Sequence, residues 1–232
     1  MAESSLSSAL HEGTIIIDIG PEHKKYYVHK ALLGPWKEAE EGVVRLEDVD
    51  HRVMNLFVEW HYTSNLPTEE ADWCGVLQVD INSYWNHLRF TVLLKAYVFG
   101  DRFLVKSFRR QVNNTFVHHI GLGWFSLPTR YEGFSYAFAN IPSDRPILQL
   151  LVDEHCGEWD KGDENDDTKL SAFNNLPPKF LIRAFRRIHE MTEKELDREN
   201  WCYCEHESDK DKTDCETQHM RYDERLDFGT FE

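Results

Sequence analysis

The first apolar stretches of the chain are short and rich in β-branched residues, which is typical of strands. Thr14–Ile19 is the first of them, and the turn signal Gly20-Pro21-Glu22-His23 follows it directly. Residues 25–29 then predict a returning strand, so the two form a β-hairpin. A third short strand is predicted at 43–46, after the turn at Glu41-Gly42.

Beyond residue 50 the apolar positions change to helical spacing. Val53, Phe57 and Trp60 follow i, i+4, i+7 and predict a helix over 51–63, with Asp48 and Asp50 as candidate N-caps. Residues 64–86 are polar and predict a loop with some helix. The remaining apolar pattern of this half predicts two more helices. One covers 88–99, and the other covers 103–119, where Leu104, Phe108, Val112 and Phe116 are spaced by four.

The second half of the chain predicts helices separated by polar segments. The strongest begins at Pro146, since proline is tolerated in the first turn. Residues 153–168 hold eight acidic side chains and predict a solvated, mobile linker. A helix follows at 179–191, and the polar residues 201–232 predict a flexible tail. The last helix is predicted to bury Leu181, Phe185 and Ile188 and to expose Arg183, Arg186 and Arg187.

Charge and composition exclude several classes of protein. The 232 residues carry a net charge of −15, which repels the phosphate backbone, so we do not expect nucleic-acid binding. Aromatic residues make up 13% of the chain, too many for a disordered protein. No run reaches the roughly 18 apolar residues of a membrane span. Five cysteines with no apolar leader sequence predict reduced thiols in the cytoplasm, the nucleus or both.

Chemical motifs are few. The sequence has no nucleophile elbow, zinc-protease motif or phosphate-binding loop, and we predict no enzymatic activity and no cofactor. One cluster of metal-ligand residue types lies in the tail: Cys202, Cys204, His206 and Cys215, with His219 as a further imidazole, and four such ligands can close a tetrahedron around zinc. Its paired ligands are separated by one residue, whereas zinc fingers use two to four. We therefore favour an exposed, reduced tail and keep a zinc-binding tail as an alternative.

Four stretches give the first half a resemblance to a known family. They are VHKALL at 28–33, GVVRL at 42–46, FVEWHYT at 57–63 and LLKAYVFGDRF at 93–103. In these stretches the chain resembles the BTB/POZ domain, and most closely the fungal BTB domain-containing group. The resemblance covers 13–119, after a mobile N-terminus at 1–12, and 120–200 is similar to the helical extension of that group. It implies an α/β (α+β) fold in which a small β-sheet is flanked by a cluster of α-helices.

The resemblance also implies a function. BTB/POZ domains are protein–protein interaction modules, so we expect a homodimerising scaffold or adaptor, with Phe57 and Trp60 among the interaction residues. A more specific alternative is a substrate adaptor of a cullin-RING ubiquitin ligase. Trp36 and Glu38 match by type the element that contacts a cullin in such adaptors, although simple packing and solvation also explain them. The chain departs from the family between Leu33 and Trp36, where about one helix is missing.

Overall fold

The computed structural model of the protein describes residues 13–29, 42–82, 85–121, 127–158, 174–193 and 202–219. These ranges form eight helices and one small three-stranded sheet, which confirms the predicted α+β fold class. The chain divides into two compact units, residues 1–109 and residues 110–232. The predicted N-terminal segment 1–12 and the departure between Leu33 and Trp36 lie outside the described residues.

The sheet is built around its first strand. The strands are β1 (Thr14–Ile19), β2 (Lys24–His29) and β3 (Val43–Leu46), in the order β2-β1-β3. The predicted hairpin pairs β1 with β2 antiparallel, whereas β3 lies parallel to β1 on its other side. Alternate residues of β1 are buried because successive side chains point to opposite faces of a sheet. The buried set is Ile15, Ile17 and Ile19.

The strand register explains how a short connection can join β2 to β3. His29, the last residue of β2, pairs with Thr14, and Val43, the first residue of β3, pairs with Ile16. Both ends of the connection therefore lie at the same end of the sheet. They are separated by two strand spacings, on the order of 10 Å. The connecting segment has to pass only one strand, so this sheet does not require an additional helix there.

Unit 1 continues with helices that begin close to their predicted starts. They are α1 (His51–Thr63), α2 (Glu70–Leu77) and α3 (Trp85–Arg102), and α4 (Lys106–Gly121) contains the boundary between the units. Asp50 caps α1 as predicted, because its side chain accepts a hydrogen bond of 3.0 Å from the Arg52 amide. The polar segment predicted mainly as loop includes α2.

Aromatic rings form the centre of unit 1. Phe57 lies 5.1 Å from Phe99 and 5.2 Å from Phe108, measured between ring centroids. Phe99 and Phe108 are buried as well. Phe108, Val112 and Phe116 of the predicted i+4 pattern are buried, since residues four apart lie on one helix face. The first member of the pattern, Leu104, was predicted wrongly: it is 76% exposed, because it lies in the turn before the helix begins at Lys106.

Unit 2 contains four further helices in addition to its part of α4. They are α5 (Leu127–Asn140), α6 (Pro146–Glu158), α7 (Pro178–Glu193) and α8 (Asp209–His219). Phe180 of α7 packs between Phe134 and Phe138 of α5 and His155 of α6, with ring centroids 5.2 to 5.3 Å apart. Among the described helices, none combines the length and the apolar character needed to cross a bilayer.

Two sequence interpretations of unit 2 require correction. The first concerns the acidic linker, because residues 153–158 belong to α6 and His155 is only 4% exposed. The remainder of 153–168 lies outside the described residues. The density of acidic residues was misleading because Asp153 is neutralised by a partner distant in sequence, Arg187, at 2.7 Å.

The second correction concerns the orientation of α7. Its buried face carries Phe180 and Ala184, whereas Phe185 and Ile188 are exposed. Arg187 is directed inward, with its side chain only 11% exposed. The apolar residues of this helix cover a wide arc, and periodicity alone does not determine which part of a wide arc meets the neighbouring helices.

Candidate functional site

The interaction residues expected from the resemblance do not form a surface patch in the described part of the chain. Phe57 is 3% exposed, so its ring belongs to the core. Trp60 is half-buried, with its ring 5.0 Å from that of Phe108 and 6.0 Å from that of Phe57. Trp36 and Glu38 lie outside the described residues. An interaction surface has to be sought elsewhere.

Helix α7 presents such a surface. Ile182, Phe185 and Ile188 are 54%, 77% and 46% exposed. Residues three apart lie on one side of a helix, so the three side chains form one apolar stripe, here called the α7 face. Scattered exposed apolar residues are ordinary, but three adjacent ones on one element indicate a contact surface.

The opposite side of α7 is firmly held. Phe180 and Ala184 are buried, and the Cys156 thiol on α6 lies 3.7 Å from the Ala184 carbonyl oxygen. Arg187 forms an ion pair with Asp153, and both side chains are about nine-tenths buried. The α7 face is therefore presented on a helix whose orientation is fixed by packing.

The charges along α7 are arranged against the helix dipole. The first turn contains Lys179 and no acidic residue, whereas the last turn contains Glu190 and Glu193 and no basic residue. A helix carries partial positive charge at its N-terminus and partial negative charge at its C-terminus, so this arrangement costs roughly 0.3–1 kcal/mol per charge in an isolated helix. Lys179 and Glu190 are both exposed, and Glu190 forms an ion pair of 2.8 Å with Arg187 of the same helix.

The second notable feature of unit 2 is a cluster of thiols. The Sγ atoms of Cys202, Cys204 and Cys215 all lie within 4.8 Å of one another. Cys202 Sγ lies 3.7 Å from Cys215 Sγ and 3.0 Å from His206 Nε2. These side chains are half-buried, in contrast to the exposed tail that the sequence suggested. The structure thus gathers three cysteines of the possible metal site and places His206 against one of them.

Two asparagines of α4 position the loop that carries three of these residues. Asn113 Nδ2 donates to the Tyr203 carbonyl oxygen at 2.8 Å. Asn114 accepts from the Glu205 amide at 2.9 Å and donates to the Glu205 carbonyl oxygen at 3.3 Å. These hydrogen bonds hold the loop backbone at residues 203 and 205, which alternate with the cluster residues 202, 204 and 206.

Helix α8 supplies the remaining thiol. Its start is capped by Ser208, whose Oγ accepts from the Asp211 amide at 3.2 Å. Asp209 and Asp211 in the first turn suit the positive end of the helix dipole. Cys215 lies in the second turn of α8, which places its thiol against the thiol of Cys202 in the loop. The sequence signal was the spacing Cys-x-Cys-x-His followed by a capped helix.

The surroundings of the cluster disfavour free thiolates. Burial raises the pKa of the Cys204 thiol well above its ordinary value, and the adjacent Cys215 and Cys202 raise it further. Three thiolates so close together would repel one another strongly. A positive charge at their centre would remove that repulsion.

The α7 face and the thiol cluster are thus the two features of the described residues from which a function can be argued. Both lie in unit 2. Comparison of the sequence with protein-family models and with curated proteins finds no match in either case.

Proposed function

We propose that this chain is a non-catalytic protein-interaction module that self-associates through the α7 face. The observation that carries the proposal is the exposed stripe of Ile182, Phe185 and Ile188 on a helix held rigidly from behind. Burying large apolar side chains of this kind drives most protein association. The occupant of the stripe is a second copy of the same helix.

The stripe is self-complementary. Phe185 lies at its centre, and an isoleucine lies three residues away on each side. In an antiparallel pair of α7 helices related by a two-fold axis at Phe185, Ile182 of each copy meets Ile188 of the other. Two-fold interfaces require this kind of pattern, in which the same surface serves both partners.

The antiparallel pair of α7 helices also explains the charge order of α7, which is unfavourable for a single helix. Antiparallel packing brings the basic first turn of one helix, with Lys179, next to the last turn of the other, with Glu190. Charges that are unfavourable for the isolated helix become complementary across the interface. A parallel pair would place like charges together.

We also propose that unit 1 is a shortened BTB/POZ-like domain and that the protein acts in the cytoplasm or the nucleus. Strands at 14–19, 24–29 and 43–46 followed by helices are the elements implied by the resemblance, and they support this assignment. None of the five cysteines, all of which lie in the described residues, forms a disulfide, which suits a reducing compartment.

Sedimentation equilibrium of the full chain tests self-association. We expect a concentration-dependent dimer at concentrations up to about 100 µM. Phe185→Glu should raise the dissociation constant at least about 30-fold, as expected for loss of a central aromatic contact. Ile81→Glu is the matched control, because Ile81 is 50% exposed in unit 1 and should leave the dimer unchanged.

Cysteine cross-linking tests the orientation. A mixture of Ile182→Cys and Ile188→Cys chains should cross-link faster than either variant alone, and Phe185→Cys should cross-link to itself. Wild-type chain under the same oxidant gives the background from the native cysteines. A monomer throughout the concentration range, or a dimer that Phe185→Glu leaves intact, would contradict the proposal.

A further inference from the structure

We propose that Cys202, Cys204, His206 and Cys215 bind one structural Zn²⁺ ion. Three thiols and one imidazole are a ligand set that closes a tetrahedral zinc site. The structure brings the three thiols within 4.8 Å of one another and His206 Nε2 within 3.0 Å of Cys202 Sγ, although eight residues separate His206 from Cys215 in the sequence. The inference does not depend on the proposed self-association.

The distance between two of the thiols supports a metal rather than a disulfide. Zn–S bonds are about 2.3 Å long, so two sulfurs of one zinc tetrahedron are separated by about 3.8 Å. Cys202 Sγ and Cys215 Sγ are 3.7 Å apart, which matches this tetrahedron edge. A disulfide would require about 2.05 Å between the sulfurs.

The remaining ligands lie close enough to complete the tetrahedron. The Cys204 thiol is within 4.8 Å of both other thiols. His206 Nε2 is 3.0 Å from Cys202 Sγ, on the border of the same cluster. Small side-chain rotations bring these groups to zinc-bonding distance, because the loop backbone is already held by Asn113 and Asn114.

A bound Zn²⁺ ion would offset the repulsion among the three thiolates of the cluster. Zn²⁺ would displace three thiol protons to solvent and accept the lone pair of a neutral imidazole nitrogen, with no change in oxidation state. Binding would convert the neutral cluster of thiols into a site with one net negative charge, because the dipositive ion offsets two of the three thiolate charges. With four protein ligands the zinc has no open position, so its role is structural rather than catalytic.

The consequence for the fold is specific to one region of unit 2. Zinc would join the loop at 202–206 to α8 through Cys215, and Asn113 and Asn114 would connect both to α4. The loop and α8 carry little apolar surface with which to hold themselves in place. A metal can supply the missing stabilisation, as it does in small zinc domains.

Metal analysis of the full chain tests the site directly. Protein prepared in reductant with added zinc should retain one zinc ion per chain after gel filtration. Replacement by Co²⁺ should produce the visible d–d bands of tetrahedral cobalt and a sulfur-to-cobalt charge-transfer band. Chelation should lower the Tm, and re-addition of zinc should restore it.

Substitutions identify the ligands. Cys202→Ser, Cys204→Ser, Cys215→Ser and His206→Asn should each lose zinc or weaken its binding by more than tenfold. Cys156→Ser is the matched control, because Cys156 is a half-buried thiol of the same unit outside the cluster. Asn114→Ala should weaken binding by about 10- to 100-fold, as outer-shell changes do, while leaving the cobalt spectrum tetrahedral.

Spectra of the wild-type chain keep the proposal testable even if a variant fails to fold. A wild-type protein that retains no zinc and whose Tm is the same with and without chelator would overturn the site. Full zinc binding by His206→Asn, combined with loss in His219→Asn, would overturn the assignment of His206 as the fourth ligand.

Discussion

At the scale of the residue, the best-defined polar contact of unit 1 centres on Tyr26 in β2. Its hydroxyl group donates to Asn55 Oδ1 at 2.6 Å and is 3.0 Å from the His51 carbonyl oxygen. Burial, and then the negative charge of Asp50, raise the pKa of Tyr26 to about 12. One phenol thus connects the sheet to the first turn of α1.

The first prediction concerns this hydroxyl group. Tyr26→Phe should lower the free energy of unfolding by about 1 kcal/mol at pH 8, the usual net value of such a hydrogen bond. The pKa is raised in the folded state, so the neutral phenol is favoured there. The wild-type advantage should be complete below about pH 10 and should decrease as the pH rises toward 12.

Urea denaturation between pH 8 and pH 12 measures both effects. Tyr27→Phe is the matched control, because Tyr27 is the next residue on the same strand and is 65% exposed. Its substitution should change stability by less than about 0.5 kcal/mol at every pH. An advantage of wild type over Tyr26→Phe that grows with pH would contradict the role given to this group.

At the scale of the element, the joint between α3 and α4 depends on close backbone contact. Two residues after α3 ends, Leu104 takes the left-handed conformation, at φ 57°, and the Val105 amide donates to the Gly100 carbonyl oxygen at 2.9 Å. The chain then turns so that Arg109 lies against Gly100. A Cβ atom at Gly100 would be 2.9 Å from Arg109 Cβ and 3.0 Å from its backbone nitrogen.

Gly100→Ala should therefore destabilise the protein by about 1–3 kcal/mol, the usual cost of overpacking. This is opposite to the effect of alanine on helix propensity. Gly75→Ala is the matched control, because Gly75 lies in α2 and a Cβ atom there meets nothing within 4 Å. That change should be stabilising by roughly 0.5–1 kcal/mol.

Thermal and urea unfolding of the two alanine variants give the comparison. Both glycines lie within observed helices, so helix propensity alone predicts that alanine stabilises the protein at either position. If both substitutions stabilise the protein, the close approach of the backbone segments at Gly100 does not exist in solution.

At the scale of the whole molecule, unit 2 is joined by one buried polar network. Asp153 on α6 accepts hydrogen bonds from Arg187 of α7, from the hydroxyl group of Tyr203 and from Gln149 at 2.9 Å. Residues up to 50 positions apart in the sequence meet at this carboxylate. The same network connects the base of the α7 face to the loop that carries the thiol cluster.

Removing one member of the ion pair between Asp153 and Arg187 should destabilise the protein. Arg187→Met should lower the free energy of unfolding by about 3 kcal/mol, because it leaves the Asp153 charge buried without its counterion. The double variant Asp153→Asn with Arg187→Met should be more stable than Arg187→Met alone, since the uncompensated charge is gone.

Arg186→Met provides the control on the same helix, because Arg186 is exposed. We expect its stability to lie within about 0.5 kcal/mol of wild type. Denaturation of all variants at one zinc concentration keeps the thiol cluster in the same state. Equal stability of Arg187→Met and Arg186→Met would show that the network contributes little.

The sequence by itself determined the strands, most of the helices and the fold class. These features depend on local signals: β-branched runs, residues spaced by three and four, and a capping side chain such as Asp50. It also supplied the four residues of the thiol cluster as a set, because metal-ligand types are recognisable by kind and spacing. The family resemblance remains a proposal.

Which side chains of these elements are buried and which are exposed depends on the tertiary structure alone. It buried Phe57, exposed Phe185 and directed Arg187 inward, because each outcome depends on neighbours that are distant in sequence. It also brought Cys215 back to Cys202 through the start of α8. The spacing of apolar residues in the sequence shows that a helix has an apolar arc. Packing against neighbouring helices determines which part of that arc is buried in the core and which part stays exposed to a partner.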